Sequence, residues 1–129
     1  RMPLLYSEGV LAGRISLNRF VDLTATQPAR AYGLYPRKGT LAIGSDADLV
    51  IWEEREFTLA NEQLHHAVDY TPYAGMTLRA WPAMTLLRGQ IVWDGARFAG
   101  TPGQGQFLPR GLPNVAPPSA RKGTQPAWR

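Results

Sequence analysis

The side chains that could do chemistry are few, and their spacing does not suit it. His65 and His66 are the two histidines of the chain. Adjacent side chains point to opposite faces of a strand and diverge by about 100° on a helix, so this pair cannot share one metal ion. We interpret both as surface or inter-subunit residues. Cysteine is absent, which excludes disulfides and thiolate chemistry.

Asp46 and Asp48 stand two residues apart, a spacing that could suggest a metal site or an acid/base pair. They flank Ala47 in a turn, where either carboxylate can accept nearby backbone N–H groups. The unbroken apolar run Leu49–Trp52 follows, and it predicts a strand buried on both faces. We therefore predict a structural role for both aspartates.

The remaining polar candidates also favour structural roles. Ser7 and Ser16 have no activating neighbour in the sequence, so we interpret Ser7 as a surface hydroxyl and Ser16 as a helix cap. Tyr70 and Tyr73 could form a stacking surface, although packing in the core or at an interface is the preferred interpretation. The sequence thus assigns no catalytic residue, no cofactor-binding residue and no metal ligand.

Helical spacing of apolar residues predicts three short helices near the start of the chain. The first covers Met2–Arg14 and ends near Gly13. The second is capped by Ser16. A third restarts at Thr26–Pro28 and stops at Gly33. These helices need a surface to pack on, and we expect part of their apolar face to stay exposed.

Residues 35–99 are predicted to form sheet. Asn61–His66 fits a helical turn, and Pro82 should force a bulge or an edge position. The tryptophans Trp52, Trp81 and Trp93 are expected to fill the core between sheets. The predicted strands, several joined by glycine-containing turns, are Thr40–Ile43, Leu49–Trp52, Phe57–Leu59, Thr77–Leu87, Ile91–Trp93 and Ala96–Phe98.

The net charge of +4 is unevenly placed. Up to Asp94 there are 9 basic and 10 acidic residues, whereas the rest of the chain has 5 basic residues and no acidic one. Such a tail could contact phosphates or an acidic surface, but nucleic-acid binding usually requires more clustered positive charge than these five scattered residues provide. The last 30 residues hold 6 prolines and 5 glycines, so we expect a disordered end beyond about Asn114.

The length of 129 residues suits one domain with a core. The chain is far too short for a complete (β/α)₈ barrel, which takes about 250 residues. Because the chain opens on Arg1 rather than Met, we interpret it as the C-terminal piece of a longer protein. No apolar run approaches the roughly 20 residues that span a bilayer, and the first residues do not form a signal peptide. We expect a cytoplasmic protein.

Residues 38–51, KGTLAIGSDADLVI, resemble the segment of the amidohydrolase superfamily in which the chain returns from the last barrel helix to a small β-sandwich. Allantoinases and dihydroorotases look similar around this turn, so the segments Tyr70–Met76 and Gly103–Leu108 favour the dihydropyrimidinase/hydantoinase branch. The segments that resemble this branch are Arg1–Val10, Val68–Met76, Leu87–Val92 and Gly103–Leu108.

The resemblance implies an α+β fragment that completes a larger protein. Residues 1–34 would be the last helices of an incomplete TIM-like (β/α)₈ barrel, residues 35–99 antiparallel strands of the accessory β-sandwich, and residues 100–129 a Pro/Gly-rich arm, partly disordered. Phe107 and Leu108 would anchor that arm on a neighbouring surface. The implied partners are the missing N-terminal barrel and sandwich strands and, through the sandwich and the arm, other subunits of a homo-dimer or homo-tetramer.

The resembled enzymes open a cyclic amide with two divalent metals, usually zinc, which lower the pKa of water and polarise the carbonyl. Their ligands are a His-x-His pair, a carboxylated lysine, two further histidines and an aspartate at the ends of barrel strands. None of these can be placed here. The two lysines do not match the carboxylated lysine, because Lys38 precedes the Gly39 turn and Lys122 lies in the tail, neither of them on a barrel strand. The fragment alone is therefore expected to be inactive.

Two other classes of function stay open. The parent could be a non-catalytic scaffold of the same fold, as some relatives of dihydropyrimidinase are, and the upstream sequence would separate this from an enzyme. Alternatively, the chain could be a stand-alone binding module that uses its basic tail. In that case binding of an acidic polymer would weaken steeply with salt and vanish on truncation at Phe107.

Overall fold

The computed structural model of the chain describes residues 1–115. Within them, two helical segments precede two small antiparallel sheets, and a short 3₁₀ helix, Asn61–Gln63, lies between the two strands of the second sheet, which confirms the predicted α+β class for this part. The predicted disordered end falls, from residue 116 onward, outside the described residues, as does Lys122. In the part that is described, no helix is both long and apolar enough to cross a membrane.

The first helical segment begins at the predicted residue, Met2, but ends at Leu11, before the predicted Arg14. Helix α1 (Met2–Leu5) runs directly into a π-helical stretch, Tyr6–Leu11. The chain then turns away at Gly13, whose φ of +72° suits a residue without a Cβ atom. The Oγ of Ser16 accepts a hydrogen bond from the backbone N–H of Arg19 at 3.1 Å, which confirms the predicted cap.

The second helical segment is longer than predicted. Helix α2 (Leu17–Val21) continues through a π-helical stretch, Asp22–Thr26, into helix α3 (Gln27–Ala31). The predicted restart near Pro28 is therefore wrong. A proline inside a helix lacks an N–H donor and crowds the carbonyl four residues earlier, and the wider π-helical turns directly before Pro28 accommodate it. The helix ends as predicted, before Gly33.

The strands form one three-stranded and one two-stranded antiparallel sheet. The order is β1-β4-β5 in the first and β2-β3 in the second. The register of β1 against β4 shifts next to Pro82, which confirms the predicted bulge. The strands are β1 (Leu49–Glu53), β2 (Phe57–Thr58), β3 (Thr77–Leu78), β4 (Trp81–Leu87) and β5 (Gln90–Trp93).

Two strand predictions, for residues 40–43 and for both faces of β1, are wrong. Residues 40–43 form no strand, and Leu41 and Ile43 are 82% and 108% exposed. Strand β1 is an edge strand rather than one buried on both faces, with Val50 and Ile51 about half exposed. A strand needs a hydrogen-bonding neighbour, and residues 1–115 provide β1 with one on a single side.

The end of the sheet departs from prediction in two further places. The predicted strand over residues 77–87 is split into β3 and β4, since the two pair with different sheets. The last predicted strand is reduced to a single bridge between Trp93 and Phe98. There the carboxylate of Asp94 accepts hydrogen bonds from the backbone N–H groups of Arg97 and Ala96, which lower the pKa of Asp94.

The core joins the helices to the sheet. Tyr6 and Phe20 are 7% and 3% exposed, and Ala80 is fully buried. Trp52 packs against this cluster from strand β1. It therefore lies between a strand and the helices, and not between two sheets as predicted.

Candidate functional site

The two histidines are exposed and have different neighbours. The ring of His65 lies against the Trp93 indole, with centroids 5.0 Å apart. The Nε2 atom of His66 lies 3.1 Å from Oδ1 of Asn61. Within residues 1–115, no three His, Asp or Glu side chains come together in a way that could hold a metal ion. This segment therefore does not provide the donor set that a zinc site requires.

Asp46 is part of an ionic cluster beside the second helical segment. Its Oδ2 lies 2.9 Å from Nζ of Lys38 and 3.0 Å from Nε of Arg37, and Lys38 also donates to Asp48. The hydrogen bond from Lys38, opposed by burial and aided by Arg37, lowers the pKa of Asp46. Burial acts against the charge of Lys38, but its bonds to Asp48 and Asp46 outweigh it and raise the pKa of Lys38.

Asp48 links this cluster to the β4–β5 turn by a hydrogen bond. Its Oδ1 accepts the backbone N–H of Arg88 at 2.8 Å, and the N–H of Gly89 donates to the carbonyl of Ala47 at 2.9 Å. Asp48 thus holds its loop to the neighbouring turn, whereas Asp46 pairs with Arg37 and Lys38 within the loop itself.

Ser7 is a buried residue that fixes the first helical segment to the backbone of Arg79. It is 0% exposed, so its interpretation as a surface hydroxyl is wrong. Its Oγ accepts the backbone N–H of Arg79 at 2.9 Å, and its carbonyl accepts the Arg79 guanidinium at 3.0 Å. A signal was present, because Leu4, Ser7 and Leu11 recur at i, i+3 and i+7 and so share one helical face.

A second polar contact fixes the same helix to the end of β1. The hydroxyl of Tyr6 donates to Oε1 of Glu54 at 3.2 Å. Burial is the main cause that raises the pKa of Tyr6, and the adjacent Glu54 carboxylate adds to it.

The other predicted candidates lie at the surface. Tyr70 and Tyr73 are 68% and 39% exposed, so packing of this pair in the core is wrong. Phe107 is 90% exposed, whereas Leu108 is partly buried. A role of these residues at an interface between subunits stays a prediction.

An apolar groove of about 570 Å³ lies between the second helical segment and strand β1. Part of the helical apolar face stays exposed beside it, as predicted, with Val21 46% and Leu23 40% exposed. Asp46, Asp48 and Lys38 also line it, and together with Arg37, which pairs with Asp46, their charges cancel. Its apolar lining includes Phe20, Ala25, Pro28, Leu34, Val50 and Trp52.

This groove is continuous with other exposed apolar surface. Leu41 also lines it, and Ile43 protrudes from the same loop. That loop is held by the ionic cluster and by Ser45, whose Oγ donates to the carbonyl of Pro36 at 2.8 Å. We name the groove, this loop and the free edge of β1 the docking face. Its chemistry suits apolar side chains and a pairing strand better than a polar substrate.

Comparison with known proteins identifies the class. Residues 11–93 match the amidohydrolase family, and the chain belongs to that family. The resemblance to hydantoinases and dihydropyrimidinases is confirmed by relatives that match most of the chain. It is 46% identical over 111 residues to the D-hydantoinase of Geobacillus stearothermophilus and 47% identical over 111 residues to a D-phenylhydantoinase of Escherichia coli O1:K1 / APEC, covering 85% of this chain in each case.

The fold agrees with a solved structure of the same kind. The crystal structure of dihydropyrimidinase from Brevibacillus agri NCHU1002 matches 91% of this chain with a TM-score of 0.85 and 42% identity. The match covers 25% of that dihydropyrimidinase and 24% of each of the two curated relatives. The chain thus spans about a quarter of the length of the proteins it matches.

Proposed function

We propose that this chain is the C-terminal structural part of a metal-dependent hydrolase that opens a cyclic amide, either a dihydropyrimidine or a hydantoin ring, by hydrolysis of a C–N bond. The similarity to hydantoinases and to a dihydropyrimidinase supports the chemistry. The structural role is inferred from the docking face, because this apolar surface is exposed in a chain that spans only about a quarter of the length of its relatives. On its own, the chain is inactive.

The docking face would receive the preceding part of the same polypeptide. Strand β1 offers one free edge, and Val50 and Ile51 are 47% and 51% exposed on it. Covering the remaining surface of one such side chain contributes about 1 kcal/mol. A strand from the preceding part, paired with β1 and packed on Leu41 and Ile43, would bury this surface and complete a β-sandwich.

The three regions of the chain would then have separate tasks. Residues 1–34 would close the wall of the (β/α)₈ barrel, residues 35–99 would form the C-terminal part of the sandwich, and residues 100–129 would form the arm. The exposed Phe107 supports contacts of the arm and the sandwich with other subunits of a homo-dimer or homo-tetramer. The absence of cysteine suits a cytoplasmic enzyme.

The catalytic metals belong, in this proposal, to the barrel that precedes the chain. Two divalent ions, with zinc as the expected metal, supply a nucleophilic hydroxide and polarise the amide carbonyl when bound. The described residues do not fit such a centre, since His65 and His66 face separate partners. They act on the reaction only by holding the barrel and the sandwich in place.

The test uses the parent protein, expressed from the gene that includes the sequence upstream of Arg1. Ring opening of dihydrouracil and of hydantoin is followed by the loss of ultraviolet absorbance. We expect turnover by the parent, and none by the 129-residue chain with added zinc. Ile43→Asp puts a charge on the docking face and should lower the activity of the parent at least about tenfold, because the sandwich no longer closes.

Val68→Asp is the matched control, because Val68 is also an exposed aliphatic residue, 54% exposed, on another loop. It should change the activity by less than about twofold. Turnover by the isolated chain would show that the reactive groups lie within it. A well-folded parent that opens neither ring would instead support a non-catalytic scaffold, and salt-sensitive binding of an acidic polymer that is lost on truncation at Phe107 would support a binding module.

A further inference from the structure

We propose that residues 104–114 form an intramolecular strap that ties the end of the second helical segment to the β4–β5 turn. From its sequence, this region is expected to be an arm that anchors on a neighbouring surface. In the structure its backbone is fastened to its own chain at both ends. The inference rests on these contacts, and only its effect on the docking face depends on the proposed function.

The first fastening is at the turn between β4 and β5. The guanidinium of Arg88 donates to the carbonyl of Gln104. The backbone of Arg88 is itself fixed, because its N–H donates to Asp48. Its φ is +48°, a value that residues other than glycine rarely adopt. Asp48 in turn pairs with Lys38, so the strap is linked to the ionic cluster.

The second fastening is at the C-terminal end of the second helical segment. The backbone N–H of Gly111 donates to the carbonyl of Gly33 at 2.8 Å, and the N–H of Asn114 donates to the carbonyl of Arg30 at 2.9 Å. The last carbonyls of a helix have no donor within the helix itself. The strap therefore adds a further donor to the carbonyl of Arg30, which also accepts the N–H of Gly33 at 3.2 Å, and it supplies a donor to the carbonyl of Gly33 just beyond the helix, from about 80 residues further along the chain.

One glycine, Gly33, makes this second fastening possible. A Cβ atom on Gly33 would lie 2.1 Å from the carbonyl oxygen of Gly111, a distance at which the strap would have to move. The close approach is one-sided, because a Cβ atom on Gly111 would meet the carbonyl of Gly33 at 3.5 Å, an ordinary contact. The absence of a side chain at Gly33 therefore leaves the space that the backbone of the strap occupies.

The position of the strap gives it a mechanical effect on the groove. Phe20 of the helix packs against Trp52 of β1, with ring centroids 5.8 Å apart, and both residues line the groove. Pro28 and Leu34 also line it, and Leu34 directly follows the fastening at Gly33. The aromatic contact and the strap thus set the distance between helix and sheet, and with it the width of the docking face.

Amide hydrogen exchange on the full 129-residue chain tests the strap directly. In the unaltered chain the amides of Gly111 and Asn114 should exchange at least about tenfold more slowly than the amide of Leu112, whose side chain is 91% exposed. This measurement needs no variant, so it decides the matter even where a variant fails to fold. Equal exchange at the three amides would overturn the inference.

Gly33→Ala and Gly13→Ala form a matched pair of variants. Both residues follow a helix with similar φ, +67° and +72°, so the backbone strain of an added Cβ atom is similar. Only Gly33 faces the strap, whereas Gly13 has nothing within 4 Å of the added atom. We expect Gly33→Ala, and not Gly13→Ala, to speed exchange at Asn114 at least about tenfold.

A third variant tests the other fastening. Arg88→Gly removes the guanidinium but suits the positive φ, so the turn itself should persist. It should speed trypsin cleavage after Arg110 several-fold. Unchanged cleavage in Arg88→Gly, or equal exchange in the two alanine variants, would show that the contacts do not hold the arm. None of these outcomes depends on whether the parent opens a cyclic amide, so the strap and the proposed function can fail separately.

Discussion

The indole ring of Trp52 stacks on the phenol ring of Tyr6, with centroids 5.1 Å apart and an angle of 17° between the planes. Phe20 meets both rings edge-on, at 5.3 Å from Tyr6 and 5.8 Å from Trp52. The three rings come from the first helix, the second helical segment and strand β1. This cluster is therefore where the helices and the sheet are joined.

Trp52→Ala should be among the more destabilising single changes in the described residues. It removes two aromatic contacts and leaves a cavity beside buried Phe20, so we expect a loss of about 2–4 kcal/mol in the free energy of unfolding. Urea denaturation followed by circular dichroism measures it. Leu41→Ala is the control, since Leu41 is 82% exposed and should change stability by less than about 0.5 kcal/mol. Similar losses in both would contradict the cluster's role.

Ser7→Ala should destabilise the chain although it removes a single oxygen atom. The backbone N–H of Arg79 would lose its acceptor in a buried place, at a cost of about 1–3 kcal/mol. Ser7→Cys would not restore this bond, because sulfur is a weak acceptor. The comparison is Ser45→Ala, which removes a more exposed hydroxyl bond. Thermal unfolding of the two variants should show a lower midpoint for Ser7→Ala, and the reverse order would contradict the burial of Ser7.

Features set by local chemistry could be predicted from the sequence. The cap at Ser16, the helix ends at Gly13 and Gly33 and the bulge at Pro82 each depend on the residue itself and its near neighbours. The structure confirms the cap, the chain reversal after each helical segment and the bulge. That the adjacent histidines do not share a metal follows from their spacing alone and stays a prediction.

Features that depend on a distant partner could not be predicted in this way. Ser7 looked like a surface hydroxyl because Arg79, its partner, lies 72 residues away. Leu41 and Ile43 alternate as in a strand, but a strand forms only where another strand pairs with it. The strap was missed for the same reason, since it depends on the meeting of Gly33 with Gly111.

The exposed loop should make the isolated chain associate with itself. Leu41 and Ile43 lie on a loop held rigid by ion pairs, next to an apolar groove and a free strand edge. We expect the double variant Leu41→Ser/Ile43→Ser to reduce the self-association seen by sedimentation velocity by at least about threefold in apparent affinity. Val68→Ser, which changes an exposed aliphatic residue on another loop, serves as the control. An equal effect of the two would mean that exposed apolar surface in general, and not the docking face, causes association.

The ionic cluster should make stability depend on pH in a defined direction. Folding lowers the pKa of Asp46 through Lys38 and Arg37. Its ionised carboxylate therefore stabilises the fold above the pKa it has when unfolded, about 4, and this stabilisation is lost as pH falls through the folded pKa. Folding raises the pKa of Lys38, so its contribution is complete at neutral pH and is lost only as pH rises through its folded pKa, in the alkaline range.

Asp46→Asn should therefore lower stability at pH 7 and flatten its decline in acid, because the asparagine has no charge to lose. The curves of unfolding free energy against pH for the variant and the unaltered chain should converge as the pH falls below the lowered pKa of Asp46. Urea denaturation at a series of pH values measures both curves. Glu56→Gln, which removes an exposed carboxylate, should leave the acid decline nearly unchanged. Parallel curves for Asp46→Asn and the unaltered chain would show that the bond from Lys38 to Asp46 does not stabilise the fold.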